Sequence, residues 1–313
     1  MKSAFILAAL LVCVFPAVTL GIVDFFSVQD EIVAVPTENT QQEQKTVSVL
    51  SEDGVITMEL EEYICCVVLA EMPADFEMEA LKAQSVVART YTCRRLNNPK
   101  HDSANVCTEP SCCQAYVSCE SFLENGGTQQ SVEKVQAAVL DTAGQALFYG
   151  GDFIEATYFS CSGGKTEDAL AVWGSDVPYL QSVSSPGEEK ATHYTDTVTF
   201  SVAEFCEKLN IHYDDLYHFG IASITYTEGG GVATIDIGGK TYTGTSVRQK
   251  LGLRSTAFVM TWAGETVTVT TKGFGHRVGM SQYGAEAMAA QGADYASILE
   301  HYYQGATLSD AFG

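Results

Sequence analysis

Leu60, Ile64 and Val67 fall four and three residues apart, the spacing of one helical face, and the next position on that face is an acid, Glu71. Pro73 disfavours helical geometry at Met72, so the spacing predicts a helix that stops at about Glu71. Asp75 can cap a second helix, running to about Arg95 through Leu81, Gln84, Ala88 and Tyr91. A short strand is expected at 55–58 and a third helix over 132–140. Leu147-Phe148-Tyr149, the pair Gly150-Gly151 and a strand over 153–159 predict a tight hairpin, because adjacent glycines supply the positive φ that such turns need. Ser201 with Glu204 reads as a capping box opening a helix through Lys208. Strands are expected at 224–227, 232–237 and 267–271, a short helix near 246–250, and two closing helices near 281–290 and 295–303. The class is α+β: a helical motif region followed by a mostly antiparallel β part with terminal helices.

Ahead of these elements, Ser3 to Val23 is an uncharged run of 21 residues behind a single Lys2, long enough to span a bilayer. It is expected to be a retained membrane anchor over 1–23, facing the rest of the chain outward, with a cleaved signal peptide as the alternative. Residues 24–52 are polar and weakly patterned and read as a flexible stalk. The folded region is then 53–313. Lys+Arg of 17 against Asp+Glu of 39 gives a net charge of −22, which argues against nucleic acid as a partner.

Glu71 is the first candidate for chemistry. Burial and the negative end of a helix macrodipole both disfavour the charged form of a carboxyl. A neutral carboxylic acid is what general-acid cleavage of a glycosidic bond requires. The same pattern also suits a structural carboxylate paired with Arg89, Arg94 or Lys82. The ten cysteines supply a second candidate. Cys65 and Cys66 lie in the apolar helical run and read as small buried hydrophobes. His101, Cys107, Cys112 and Cys113 bring one imidazole and three thiols together on a loop, a set that suits a closed tetrahedral zinc site. Outside the cytoplasm, disulfides such as Cys107 with Cys119 compete with that reading.

Three ordered blocks carry a family resemblance. The first is Leu60-Glu61-Glu62-Tyr63, Ala70-Glu71-Met72-Pro73-Ala74 and residues 79–91. The second is Tyr158 to Glu167, which contains Ser160-Cys161-Ser162-Gly163-Gly164 and is followed by Val172-Trp173-Gly174 and Pro178-Tyr179-Leu180. The third is Gly273 to Ala285, and His301-Tyr302-Tyr303 closes the match. Together they resemble the stage II sporulation protein D family, peptidoglycan lytic transglycosylases that act while the forespore is engulfed.

The resemblance implies that Glu71 is the catalytic acid and that the bond cut joins N-acetylmuramic acid to N-acetylglucosamine, leaving 1,6-anhydro ends. Gln84, Ser162, Gly163, Gly164, His276, Ser281, Gln282 and Tyr283 are expected to bind substrate. Residues 106–116 are similar to a family segment implied to hold a structural zinc, with Cys112 in place of a His. The family pattern also has Gly where this chain has Arg277. Implied partners are the glycan strands, the membrane through the N-terminal helix, and the stage II sporulation proteins P and M. Two other classes stay open: a zinc-dependent cell-wall amidase or peptidase, and a non-enzymatic glycan-binding scaffold. Against the first stand a ligand set without a carboxylate and the absence of H-E-x-x-H.

Overall fold

The computed structural model describes residues 45–313. The expected anchor over 1–23 and the stalk as far as residue 44 lie outside the described residues. Among the described residues no helix is long and apolar enough to cross a membrane.

The mixed α and antiparallel β organisation is as expected, with its start displaced. Thr46–Ser51 is a strand, not the end of a stalk, and it pairs antiparallel with Gly54–Glu59 from Thr46↔Glu59 to Ser51↔Gly54. Val47 and Val49, on either side of Ser48, are fully buried, so the period-2 signal lies within a strand of six residues. Val106–Cys107 adds a short parallel strand to its other edge.

Leu60–Glu71 follows the hairpin directly and packs on Met78–Asn97, the central helix. The central helix is buried on all sides, because Gln129–Asp141, Gln282–Ala290, Tyr295–Tyr302 and strand Gln145–Tyr149 surround it. Three of its buried hydroxyls bond locally, whereas the Gln84 amide has no partner. Ser85, Thr90 and Thr92 each donate to the carbonyl four residues back. Arg89, fully buried, donates to both carboxylate oxygens of Glu61 and to the carbonyls of Val139 and Gln145. Arg89 is therefore spent on Glu61 and not on Glu71.

The Gly150-Gly151 hairpin forms with both glycines at positive φ, 63° and 91°. Its second strand, however, ends at Phe153. Tyr158–Phe159 pairs instead, in parallel, with Met280–Ser281 from the far end of the chain. No local pattern marks such a partner.

Between Thr195 and Lys272 the chain builds a second core. Strands Thr195–Ser201, Phe258–Ala263 and Thr266–Lys272 form one sheet, and Ile221–Tyr226, Val232–Ile237 and Lys240–Thr243 another. Helices Val202–Leu209 and Gly244–Leu251 cover them through Phe205, Leu209, Val247 and Leu251. Ser201 accepts the Glu204 N–H as its N-cap.

Arg277 joins the two cores. Its side chain is 3 % exposed and meets Glu167, 1 % exposed, at 3.2 Å. It also donates to the carbonyls of Ser162, Lys165 and Gly229, each at 2.7 Å. The Gly231 N–H and the Thr227 hydroxyl complete the same Glu167 oxygen. Arg277 adopts φ +68°, the left-handed geometry that costs a residue with a Cβ about 1–2 kcal/mol. Glycine at this position would remove that strain but leave the Glu167 carboxylate without its cation. Arg277→Met is expected to lower the unfolding free energy by about 3–5 kcal/mol, the cost of breaking a buried pair, and Arg277→Gly by about 1–2 kcal/mol less because it also relieves the strain. Urea denaturation measures it, and a loss below about 1 kcal/mol would mean the pair is dispensable.

Candidate active site

Glu71 closes its helix as expected. Met72 has left helical geometry, at φ −131° and ψ 135°, ahead of Pro73, while its N–H still bonds the Val68 carbonyl at 3.0 Å. The carboxyl is half-buried and faces a cleft rather than the core. Its Oε1 accepts the Ala115 N–H at 2.7 Å and the Tyr158 hydroxyl at 3.0 Å. Burial, with the adjacent Glu71 charge, pushes the Tyr158 phenol well above its ordinary value, so it stays a donor. Both bonds fall on Oε1, which leaves Oε2 for proton exchange.

Two clefts meet at this acid. One of about 550 Å³ is walled by Tyr91, Tyr158, Phe159, Phe274 and His276. The other, of about 430 Å³, runs past Met72, Phe122, His193 and Tyr283. They share Glu71, Ser160 and Gln282, so the carboxyl stands in mid-groove rather than at a closed end. Among the described residues lining the two clefts, Glu71 is the sole carboxylate.

The expected substrate contacts divide. Gln282 lines both clefts and Tyr283 the second, where its ring meets Phe76 edge-on at 5.0 Å. His276 lines the first cleft between the rings of Phe159 and Trp173. Burial, reinforced by the Arg248 charge, pushes its imidazole down to about 4. Its Nδ1 accepts the Val278 N–H at 3.1 Å, so the neutral ring carries its proton on Nε2. His276 is thus a neutral polar wall and not a proton donor at physiological pH.

Ser281 is fully buried, and its hydroxyl caps the following helix through the Gly284 N–H. Ser162, Gly163 and Gly164 do not line the groove. The N–H groups of Ser162 and Gly163 donate to Glu188 Oε2 at 2.7 and 3.0 Å, and the Ser162 hydroxyl donates to Oε1 at 2.8 Å. The Gly164 N–H bonds the Ser162 hydroxyl. The donors read as sugar contacts instead enclose Glu188, itself 1 % exposed. Gln84 is also fully buried in the central helix and lines neither cleft.

His101, Cys107, Cys112 and Cys113 do come together, with all ligand atoms within 4.8 Å of one another. His101 Nε2 lies 3.8 and 3.6 Å from the sulfurs of Cys112 and Cys113, which are 4.0 Å apart. Thiolates on one tetrahedral zinc sit about 3.8 Å apart at the usual Zn–S length. Neighbouring thiols can converge here because the N–H groups of Cys112 and Cys113 both bond the Glu109 carbonyl, closing a tight turn. Burial works against the Cys113 thiolate, but hydrogen bonds from Cys107, His101 and Tyr91 outweigh it and draw the thiol down to about 7. Cys119 belongs to a different group, beside Cys65 and Cys66. The Cys107–Cys119 disulfide alternative is therefore not assembled, and the described cysteines are free.

Sequence reasoning missed the two groups that hold Glu71. Tyr158 opens the second motif block and Ala115 follows the cysteine loop, but only the tertiary fold brings them to Oε1.

A family model described as stage II sporulation protein matches residues 51–149. The chain is 40 % identical over 300 residues to the stage II sporulation protein D of Bacillus subtilis (strain 168), covering 91 % of this chain and 87 % of that protein. It is 43 % identical over 268 residues to the stage II sporulation protein D of Bacillus amyloliquefaciens, covering 83 % and 77 %. A Bacillus subtilis protein named amidase enhancer is 29 % identical over 295 residues, covering 76 % of this chain and 39 % of that protein.

Proposed function

The chain belongs to the stage II sporulation protein D family, and from that premise we propose that it is a peptidoglycan lytic transglycosylase with Glu71 as its proton-transferring group. The observation that carries this reading is a single carboxylate at the junction of two clefts, held by two donors on one oxygen. A two-carboxylate glycosidase needs a second acid within about 10 Å to activate water or attack the sugar. A transglycosylase needs one. Glu71 Oε2 gives its proton to the glycosidic oxygen as the bond to C1 of N-acetylmuramic acid breaks. The same carboxylate then takes the proton of that sugar's 6-hydroxyl as the oxygen bonds C1, so the ring closes and no water is consumed. Peptide-stripped glycan strands digested with the protein and examined by mass spectrometry should carry 1,6-anhydro ends. Reducing ends, heavier by one water, would overturn the mechanism.

The His101, Cys107, Cys112 and Cys113 set fits zinc in number, softness and spacing. With four protein ligands the ion would have no open position, so its contribution is to fix the loop. The loop leads directly to Ala115, whose N–H holds Glu71. This donor set does not favour a hydrolytic zinc amidase. The wider reading is of an exported protein anchored by residues 1–23, acting on the wall during forespore engulfment with a peptidoglycan amidase (stage II sporulation protein P) and the membrane protein stage II sporulation protein M. The likeness to a protein named amidase enhancer supports the amidase partner.

A further inference from the structure

We propose that Gln114 recognises the 2-acetamido carbonyl of a sugar seated in the first cleft, which would make the site specific for N-acetylated glycan. The inference rests on the glycan reading of that groove. Gln114 lines the cleft together with Glu71 and is 2 % exposed, and neither its Nε2 nor its Oε1 has a partner. Native proteins leave few buried amides unpaired, and a role at a catalytic site is one reason for an exception; the Gln84 amide is unpaired too, but of the two only Gln114 lines the cleft. The backbone around Gln114 is well anchored. Cys113 belongs to the thiol–imidazole cluster, and the Ala115 N–H is bonded to Glu71. The amide is therefore held in register with the acid, and rotation about its soft terminal torsion can present either end to the cleft.

A second unpaired donor faces the same space. Gln282, 6 % exposed, has no partner for its Nε2. Two N–H donors call for an oxygen with two lone pairs and no hydrogen of its own, which is a carbonyl. On a peptide-stripped strand the acetamido groups carry such an oxygen on every sugar. The lactyl carboxylate is the other acceptor, but no Lys or Arg is among the described residues lining this cleft to pair a desolvated anion. The neutral carbonyl is the better complement, with the acetyl methyl against Pro110 and Ala156 in the same wall. The Gln114 Oε1 then accepts a sugar hydroxyl. A site built around such bonds rejects an analogue that lacks the partner, because its own buried groups stay unpaired.

The test is binding of chitotetraose and of its fully de-N-acetylated counterpart, by calorimetry, to the wild type, Gln114→Met and Gln114→Glu. The wild type is expected to prefer the acetylated sugar by at least tenfold. Both variants should bring that ratio to within about twofold of one while keeping the wild-type melting temperature. On glycan strands their KM should rise with product chemistry unchanged. A ratio that survives in both variants, equal weakening toward both sugars, or no binding of chitotetraose by the wild type would each overturn the assignment. Retained acetyl preference in a protein that cleaves no strand would instead count against the transglycosylase reading and leave Gln114 in place.

Discussion

Glu71→Gln is expected to lower the rate of glycan-strand cleavage by about 10²–10⁴-fold, the usual contribution of a positioned general acid or base. The substitution isolates proton transfer from geometry. The amide oxygen can still accept the Ala115 N–H and the Tyr158 hydroxyl that hold the native carboxyl. The amide nitrogen can neither give a proton to the leaving oxygen nor take one from the 6-hydroxyl. Binding of strands should therefore survive, and the melting temperature should stay within a few degrees of the wild type. Two measurements decide it: single-turnover cleavage followed by mass spectrometry, and strand binding by the inactive variant. Unchanged cleavage would remove Glu71 from the mechanism. Loss of folding together with activity would call for Glu71→Ala and Tyr158→Phe to separate the two.

The acid was legible before the fold because two local signals agreed on it. The four-three-four spacing put Glu71 on a helix face, and Pro73 ended that helix at the position where a side chain can reach out of the packing. The cysteine loop was legible for a similar reason, since its ligands lie within thirteen residues and converge through one turn at Glu109. What escaped were interactions between distant segments. Tyr158 reaches Glu71 because its strand runs parallel to Met280–Ser281, more than 120 residues away. Ser162 and Gly163 have the donors expected of a sugar-binding turn, and only the position of Glu188 shows where those donors go. Polarity alone misplaced the start of the fold, because Val47 and Val49 offer just two buried positions to mark a strand. Arg277 holds a left-handed backbone angle that favours glycine, while its guanidinium closes Glu167 and three carbonyls at once.

If His101, Cys107, Cys112 and Cys113 hold zinc as proposed, stripping it is expected to weaken glycan-strand cleavage without touching Glu71. The purified protein should contain about one zinc per chain, as four soft or borderline ligands predict. Stripping it leaves three thiols around one imidazole, with the ion's coordination energy gone. That energy is substantial, because structural zinc binding is folding free energy. For a fold of this size each kcal/mol moves the melting temperature by about 2–4 °C, so a fall of roughly 10 °C or more is expected. Activity should drop at least tenfold, because the loop that loses its anchor presents Ala115 to Glu71 and also carries Gln114. Readded zinc should restore both quantities. Elemental analysis, thermal melting and cleavage assays on the same sample check this, and full activity in verified metal-free protein would overturn it. Two controls then separate a positioning ion from a catalytic one. Glu71→Gln should retain its full zinc content while inactive. Residual products of the metal-stripped protein should still end in anhydro sugar, because an ion that only holds the loop can change how often the acid is in place but not what the acid does.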